Sequence, residues 1–100
     1  MKNSWGYLKW TNGPIKGTFY HGEFGEGRFN GEGILSLPDG RRIEGHFKNN
    51  KIHGSAREYA VNGDYYDGEW YRNLKKGKGL LKLNNGDVYE GEFASNYPHG

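Results

Sequence analysis

The chain lacks cysteine altogether and has one methionine and three prolines in 100 residues. Without a thiol there is no disulfide, no thiolate zinc site and no cysteine nucleophile. No apolar run approaches the ~20 residues that a membrane-spanning helix needs, and Met1-Lys2-Asn3-Ser4 leads into no signal-peptide core. Hydrophobic residues, glycine not counted, make up 33%, where an ordinary globular chain is roughly 45–50% apolar with glycine counted. A surplus of one charge is missing too: 14 Lys and Arg against 12 Asp and Glu leave +2. With 16% aromatics, that is not the self-repelling, aromatic-poor composition of a disordered chain. Glycine is what abounds, 18 residues where about 7% is usual. Each interior helical glycine costs about 1 kcal/mol, so a helical bundle is excluded. The composition predicts a soluble, cytoplasmic, glycine-rich β protein of one domain, residues 1–100.

What is present is periodic. Gly22, Gly45, Gly68 and Gly91 stand 23 residues apart, and Phe24, Phe47, Trp70 and Phe93 keep the same phase. So do Gly31, Gly54, Gly77 and Gly100, then Gly33, Ala56 and Gly79, then Gly40, Gly63 and Gly86. Tyr20, Ile43, Tyr66 and Tyr89 open the units. A fixed period of this length marks a repeat array, with repeats at 20–42, 43–65 and 66–88 and a partial one at 89–100. Gly6-Tyr-Leu-Lys-Trp-Thr-Asn-Gly13 superimposes on Gly79-Leu-Leu-Lys-Leu-Asn-Asn-Gly86. Residues 5–19 are therefore a half-unit carrying a four-residue insertion, 14–17. An even insertion leaves later side chains on their original face, because strand faces alternate with period two.

Each unit reads as a β-hairpin. Tyr20-His-Gly-Glu-Phe24 alternates large apolar and polar positions, as a half-buried strand does, and 31–37 is its partner. Asn62-Gly63, Asn85-Gly86 and Pro38-Asp39-Gly40 are turn signals. The expected fold is all-β: an elongated, single-layer, twisted antiparallel sheet of consecutive hairpins. It should have about eight strands, the first near 5–11 and the last near 87–94. At ~4.8 Å per strand the sheet is about 38 Å long. Glycine weakens a strand, so its phasing needs a cause: a bare glycine leaves a slot over which a neighbouring ring can lie. Gly22, Gly31, Gly33, Gly45, Gly54, Gly68, Gly77, Gly79 and Gly91 are read as structural in this sense.

These motifs resemble the MORN (membrane occupation and recognition nexus) repeat, close to Tyr-x-Gly-Glu-Trp followed by a Gly-x-Gly step. Tyr66-Asp-Gly-Glu-Trp70 and Tyr89-Glu-Gly-Glu-Phe93 match its opening, and Tyr20-His-Gly-Glu-Phe24 nearly so. The second unit departs, with Ile43, His46 for glutamate and Ala56 for glycine. The resemblance covers 20–100, more loosely 5–13. It implies a row of hairpins and roles in protein scaffolding, cytoskeletal or ciliary assembly and membrane association. In some members the repeats are an accessory segment of a kinase or methyltransferase.

Catalytic chemistry finds little support in the residues. Gly25-Glu-Gly27 and Gly31-Glu-Gly33 imitate phosphate loops, but no Gly-Lys-Ser/Thr and no following helix accompany them. Glu23, Glu69 and Glu92 recur with the repeat as fold residues do. Successive carboxylates two strands apart are too distant to share a proton. His21, His46, His53 and His99 have no metal-ligand spacing. No catalytic residue, metal or cofactor is expected.

Two surfaces remain. The rings Tyr20, Phe24, Phe47, Tyr66, Trp70, Tyr89 and Phe93 hold the hairpins together and, in a one-layer sheet, should stay open enough to dock an extended or helical segment of a protein partner. One long edge gathers Arg28, Lys48, Lys51, Arg72, Lys75 and Lys76 against the single acid Glu26. It suits anionic phosphoinositide lipids or an acidic partner. The opposite turns, with Asp39, Asp64 and Asp87 beside Lys16, Arg41 and Arg42, nearly cancel. Nucleic acid is disfavoured by a pI near 8.8. The last strand, 87–94, lacks its hairpin mate and should either continue into further repeats or pair with a second chain. A non-catalytic scaffold, cytoplasmic and associated with cytoskeleton, cilium or membrane, is the leading reading. A peripheral membrane module and an accessory enzyme segment are the alternatives.

Overall fold

The computed structural model describes residues 4–98, so the phased Gly100 and His99 lie outside the described residues. Among the described residues nine strands form one sheet in chain order: β1 Ser4–Lys9, β2 Phe19–Gly25, β3 Arg28–Ser36, β4 Arg42–Lys48, β5 Lys51–Tyr59, β6 Tyr65–Tyr71, β7 Leu74–Lys82, β8 Val88–Ala94 and β9 Tyr97–Pro98. Every neighbouring pair is antiparallel. The longest dimension is 38 Å. One strand more than expected appears, because the chain past β8 turns back for two residues against Phe93 and Ala94. The insertion at 14–17 keeps register as an even number must: Gly6 faces Gly22 just as Gly79 faces Gly91.

The hairpin turns differ from the expectation in an instructive way. The second strands begin at Arg28, Lys51 and Leu74, three residues before the Gly-x-Gly step. The turns preceding them are only two residues long, Glu26-Gly27, Asn49-Asn50 and Arg72-Asn73, with Ser95-Asn96 before β9. Both residues of each have positive φ, the mirror-image geometry whose twist suits a two-residue hairpin. At the other end an Asn-Gly pair suggests positive φ at both residues, yet only Gly63 and Gly86 adopt it, and Asn62 and Asn85 do not. Gly63 N–H donates to Ala60 O and Gly86 N–H to Leu83 O (3.1 and 2.9 Å), so these are type I turns closed by a left-handed glycine. The asparagines act through their side chains instead. Asn62 Oδ1 accepts from Asp64 N–H and Asn85 Oδ1 from Asp87 N–H, as Asp39 Oδ1 does from Arg41 N–H.

Starting early leaves the second strands two residues too long. Gly22 faces Gly33 but Phe24 faces Phe29, and the same slip recurs at Gly45/Phe47 and Gly68/Trp70. Each is a bulge, and Gly31, Gly54 and Gly77 inside it have φ of 118°, 102° and 97°. These three glycines supply a left-handed backbone, not a slot for a ring. Bulges increase local twist. Three of them in phase curl the sheet so that one face closes on its own side chains, and a single layer acquires a core.

Successive units are stitched by asparagine. Asn50 N–H donates to Phe29 O while Asn50 Oδ1 accepts from Phe29 N–H (3.1 and 2.9 Å). Asn73 repeats this with Ile52 (2.9 and 2.8 Å) and Asn96 with Lys75 (3.0 and 2.9 Å). One side chain thus does two jobs, since asparagine also tolerates the left-handed turn conformation.

Candidate interaction surfaces

On the curled face the tyrosine that opens a unit lies flat across its paired glycines. A Cβ at Gly79 would stand 2.5 Å from Tyr66 Oη and 2.6 Å from its ring; at Gly68 it would stand 2.6 Å from Tyr66 Oη. Tyr20 covers Gly22 and Gly33 in the same way. Each hydroxyl then donates to the carbonyl three residues on, Tyr20 to Glu23, Tyr66 to Glu69 and Tyr89 to Glu92 (2.9, 2.9 and 2.8 Å). Burial, reinforced by the Glu23 and Glu32 charges, pushes the Tyr20 hydroxyl up to about 12. Burial and then Glu69 do the same for Tyr66. Both therefore stay protonated donors in the neutral range.

The rings pack edge to face within and between units: Tyr66 meets Trp70 of its own unit at 5.4 Å and Phe93 of the next at 4.9 Å, and Tyr20 meets Phe47 of the next unit at 5.2 Å. Phe29 stacks on Tyr20 at 3.8 Å. Consequently Tyr20, Phe47, Tyr66, Trp70 and Phe93 are buried, and of the seven rings expected to meet a partner only Phe24 and Tyr89 stay partly open. The expectation of open rings fails for a physical reason. Curling lets neighbouring units cover the side of each ring that a flat sheet would expose.

The same face holds an ion pair. Positions 35, 58 and 81 read Leu35, Glu58, Leu81, and positions 29, 52 and 75 read Phe29, Ile52, Lys75. Glu58 and Lys75 are thus intruders, and they find each other: Lys75 Nζ lies 2.7 Å from Glu58 Oε1, with Arg41 Nη1 3.2 Å from Oε2. Lys75 Nζ also sits 5.2 Å above the Tyr66 ring and 5.6 Å above Trp70. Lys75, expected on the basic edge, is therefore withdrawn into the ring-bearing face by this pairing.

The rest of the basic edge stays outside. Arg28, Lys48, Lys51, Arg72 and Lys76 are exposed. Lys48, Lys51, His53 and Arg72 surround Tyr71 in a concavity of about 380 Å³ that contains no acidic side chain. The Lys76 ammonium lies 5.4 Å from the Tyr71 ring and the Arg72 guanidinium 5.3 Å. Arg28 belongs to an earlier hairpin and does not line this hollow.

The outer face carries the larger apolar exposure. Trp5 is 63% and Tyr7 68% exposed. Trp5 meets His21 at 5.9 Å, Tyr7 meets Phe19 at 5.4 Å, and Phe19 meets His21 at 6.4 Å. Ile34, paired across from His21, extends the patch. Two of the repeating carboxylates, Glu23 and Glu69, are engaged by the fold. Glu23 Oε1 accepts from Glu32 N–H and Glu69 Oε1 from Lys78 N–H across the bulges (2.7 and 2.8 Å). His46, in the glutamate position, places Nδ1 2.8 Å from His53 O. Among the described residues no three His, Asp or Glu gather as a metal site, and no helix is long and apolar enough to cross a membrane.

Sequence reasoning missed the asparagine joints, the Glu58–Lys75 pair and the outer-face patch. The first had a signal, Asn50, Asn73 and Asn96 at the repeat period. The second had one too, two coincident breaks in apolar phase. The third had none within the repeat, because Trp5 and Tyr7 belong to the half-unit. No curated protein matches the chain. The MORN repeat matches residues 20–41, 44–65, 66–88 and 89–100, a family of generally non-catalytic repeat modules that mediate protein or membrane interactions. With most of its length so matched and the rings of Tyr20, Tyr66 and Tyr89 set over the repeat's glycines, the chain belongs to the MORN-repeat family.

Proposed function

We propose that the chain is a non-catalytic scaffold module, cytoplasmic and part of a cytoskeletal or ciliary assembly, that docks an extended segment of a protein partner. The observation that carries this reading is the patch of Trp5, Tyr7, Phe19, His21 and Ile34 on the outer face. The core does not use it, and contiguous exposed apolar surface marks interaction sites. The docking face is thereby moved from the buried rings to the opposite side of the sheet. A photo-reactive residue at Tyr7 should cross-link a partner from source-cell extract, identified by mass spectrometry. The purified partner should then bind the wild-type chain and lose about tenfold or more in affinity to the Trp5→Ala/Tyr7→Ala variant. Equal affinity of that variant would overturn the reading.

A second reading has its own support in the acid-free hollow of Lys48, Lys51, His53 and Arg72, which suits the anionic headgroups of phosphoinositides. Flotation with phosphoinositide vesicles should then be salt-sensitive and weakened in Lys48→Glu/Arg72→Glu. Either surface would serve equally in an accessory segment of a larger kinase or methyltransferase.

A further inference from the structure

Among the described residues the sheet has two unlike edges, and each carries half of a joint that its interior makes whole. One row crosses the sheet with a single residue per strand from β1 to β8: Gly6, Gly22, Gly33, Gly45, Ala56, Gly68, Gly79 and Gly91. Where the joint is complete it has three parts. The Tyr66 ring lies over Gly68 of its own strand, crosses onto Gly79 of the next, and meets Phe93 of the following unit at 4.9 Å. Tyr20 does the same with Gly22, Gly33 and Phe47, the last at 5.2 Å.

The two edges divide these parts between them. On β8 the Tyr89 ring covers Gly91 and stays partly open, and β9 pairs with Phe93 and Ala94 alone, leaving the edge of 88–91 uncovered. On β1, Gly6 faces Gly22 as Gly79 faces Gly91, so it is the second glycine of such a joint. No tyrosine crosses it. A Cβ there would meet only the Phe24 ring, at 3.5 Å. Phe24 holds the place of the following unit's ring and is only partly buried, whereas Phe47 and Phe93 are buried. Leu8 is 44% exposed, while Leu35 and Leu81 in the same phase are half-buried. The strands are complementary in length too. By register β9 corresponds to 74–75 and β1 to 77–82, and together they span a second strand like β7.

We propose that β8 of one copy of this chain pairs with β1 of a second, so that copies join head to tail. The register is the one that β6 and β7 keep: Gly91 opposite Gly6, Glu90 opposite Tyr7, Tyr89 opposite Leu8 and Val88 opposite Lys9. Tyr89 then crosses onto Gly6 and packs against Phe24. Glu92 closes on Trp5 N–H as Glu69 closes on Lys78 N–H. An open strand edge is a template for such addition. Because the two joined surfaces differ, each contact leaves one of either kind free and copies continue to add. The contact uses the strand edges and the ring-bearing face, so it stands apart from docking on the outer face.

Sedimentation velocity of the 100-residue chain over a dilution series is the test. The average sedimentation coefficient should climb with concentration and not level off at a dimer. Gly6→Val places a side chain where Tyr89 must cross, yet meets nothing nearer than Phe24 in its own chain. It should melt no lower than wild type and associate about tenfold or more weakly. Tyr89→Ala should weaken association likewise. Mixing the two variants fixes the polarity. The first keeps its Tyr89 and the second its Gly6, so together they should form a one-to-one dimer and nothing larger. A wild-type monomer at about 1 mM, a plateau at dimer, or association that survives Gly6→Val would overturn the proposal. So would a mixture of the folded variants that stays monomeric. The wild-type and Gly6→Val arms decide the matter even if Tyr89→Ala does not fold.

Discussion

The second and third units, 43–65 and 66–88, build one hairpin by two different chemistries. The third sets the Tyr66 ring over Gly68 and Gly79 and ties its hydroxyl to Glu69 O. The second has Ile43 in place of the ring, and there Ala56 occupies the position of Gly79 and is itself buried. Where no ring lies across the strand, a methyl group fills the space. The third unit drapes Glu69 over the bulge to reach Lys78 N–H, while the second uses His46 against His53 O. The comparison teaches that the repeat conserves volume and hydrogen-bond satisfaction within each unit, and that its residues vary in compensating sets.

The largest effect should come from filling the ring's seat. In Gly68→Val the new Cβ would lie 2.5 Å from Gly79 Cα and 2.7 Å from Lys78 O, so backbone must part. A loss above about 4 kcal/mol, the diagnostic range for single substitutions, is expected in denaturant unfolding. A wild-type midpoint would refute the glycine slot.

Next comes the ion pair that joins the two units. Glu58→Leu restores the residue type of Leu35 and Leu81 but strands Lys75, while Arg41 keeps Asp39, and should cost about 2–4 kcal/mol. Adding Lys75→Ile, which copies the residue type of Ile52, should recover all of it or exceed wild type. A double variant as weak as the single one would show the pair to be irreplaceable.

A smaller loss is expected at the joint between units. Asn73→Ala removes the bond to Ile52 N–H and puts alanine, which lacks asparagine's tolerance of the left-handed conformation, at that turn position, about 1–2 kcal/mol together. Amide exchange should rise first at Ile52, and an unchanged rate there would discount the joint.

The gentlest probe is alkaline pH. Tyr20 and Tyr66 have hydroxyls raised from 10.0 to about 12, so their protonated forms favour the fold. The sign follows: that contribution is complete below pH 10 and is lost as pH rises from 10 through about 12. Phenolate absorbance should show two late-titrating tyrosines, and Tyr66→Phe should remove one. Retention of both in that variant would misplace the effect.

Much of this was legible in the sequence because the repeat samples each position several times. Gly22, Gly68 and Gly91 with a tyrosine two residues earlier announced the slots, and Tyr20 to Phe24 announced a strand. The turns were less legible. Asn62-Gly63 has the composition of one hairpin type and the geometry of another, because its three-residue length is set by hydrogen bonds to Ala60. The two-residue turn at Arg72-Asn73 hides because arginine gives no hint of positive φ. The candidate surfaces were the least legible. Which side of Trp70 faces water depends on the curl of the sheet, a sum over three bulges that no local motif records.

The central claim is that the ring and the residue beneath it form one compensating set. A double-mutant cycle on Tyr66→Ile and Gly79→Ala tests it most directly, since it transplants the second unit's pair into the third. The account predicts that Gly79→Ala destabilises the chain by more than about 1 kcal/mol when Tyr66 is present. In the Tyr66→Ile background the same substitution should cost nothing, or stabilise. Equal costs in the two backgrounds would contradict it.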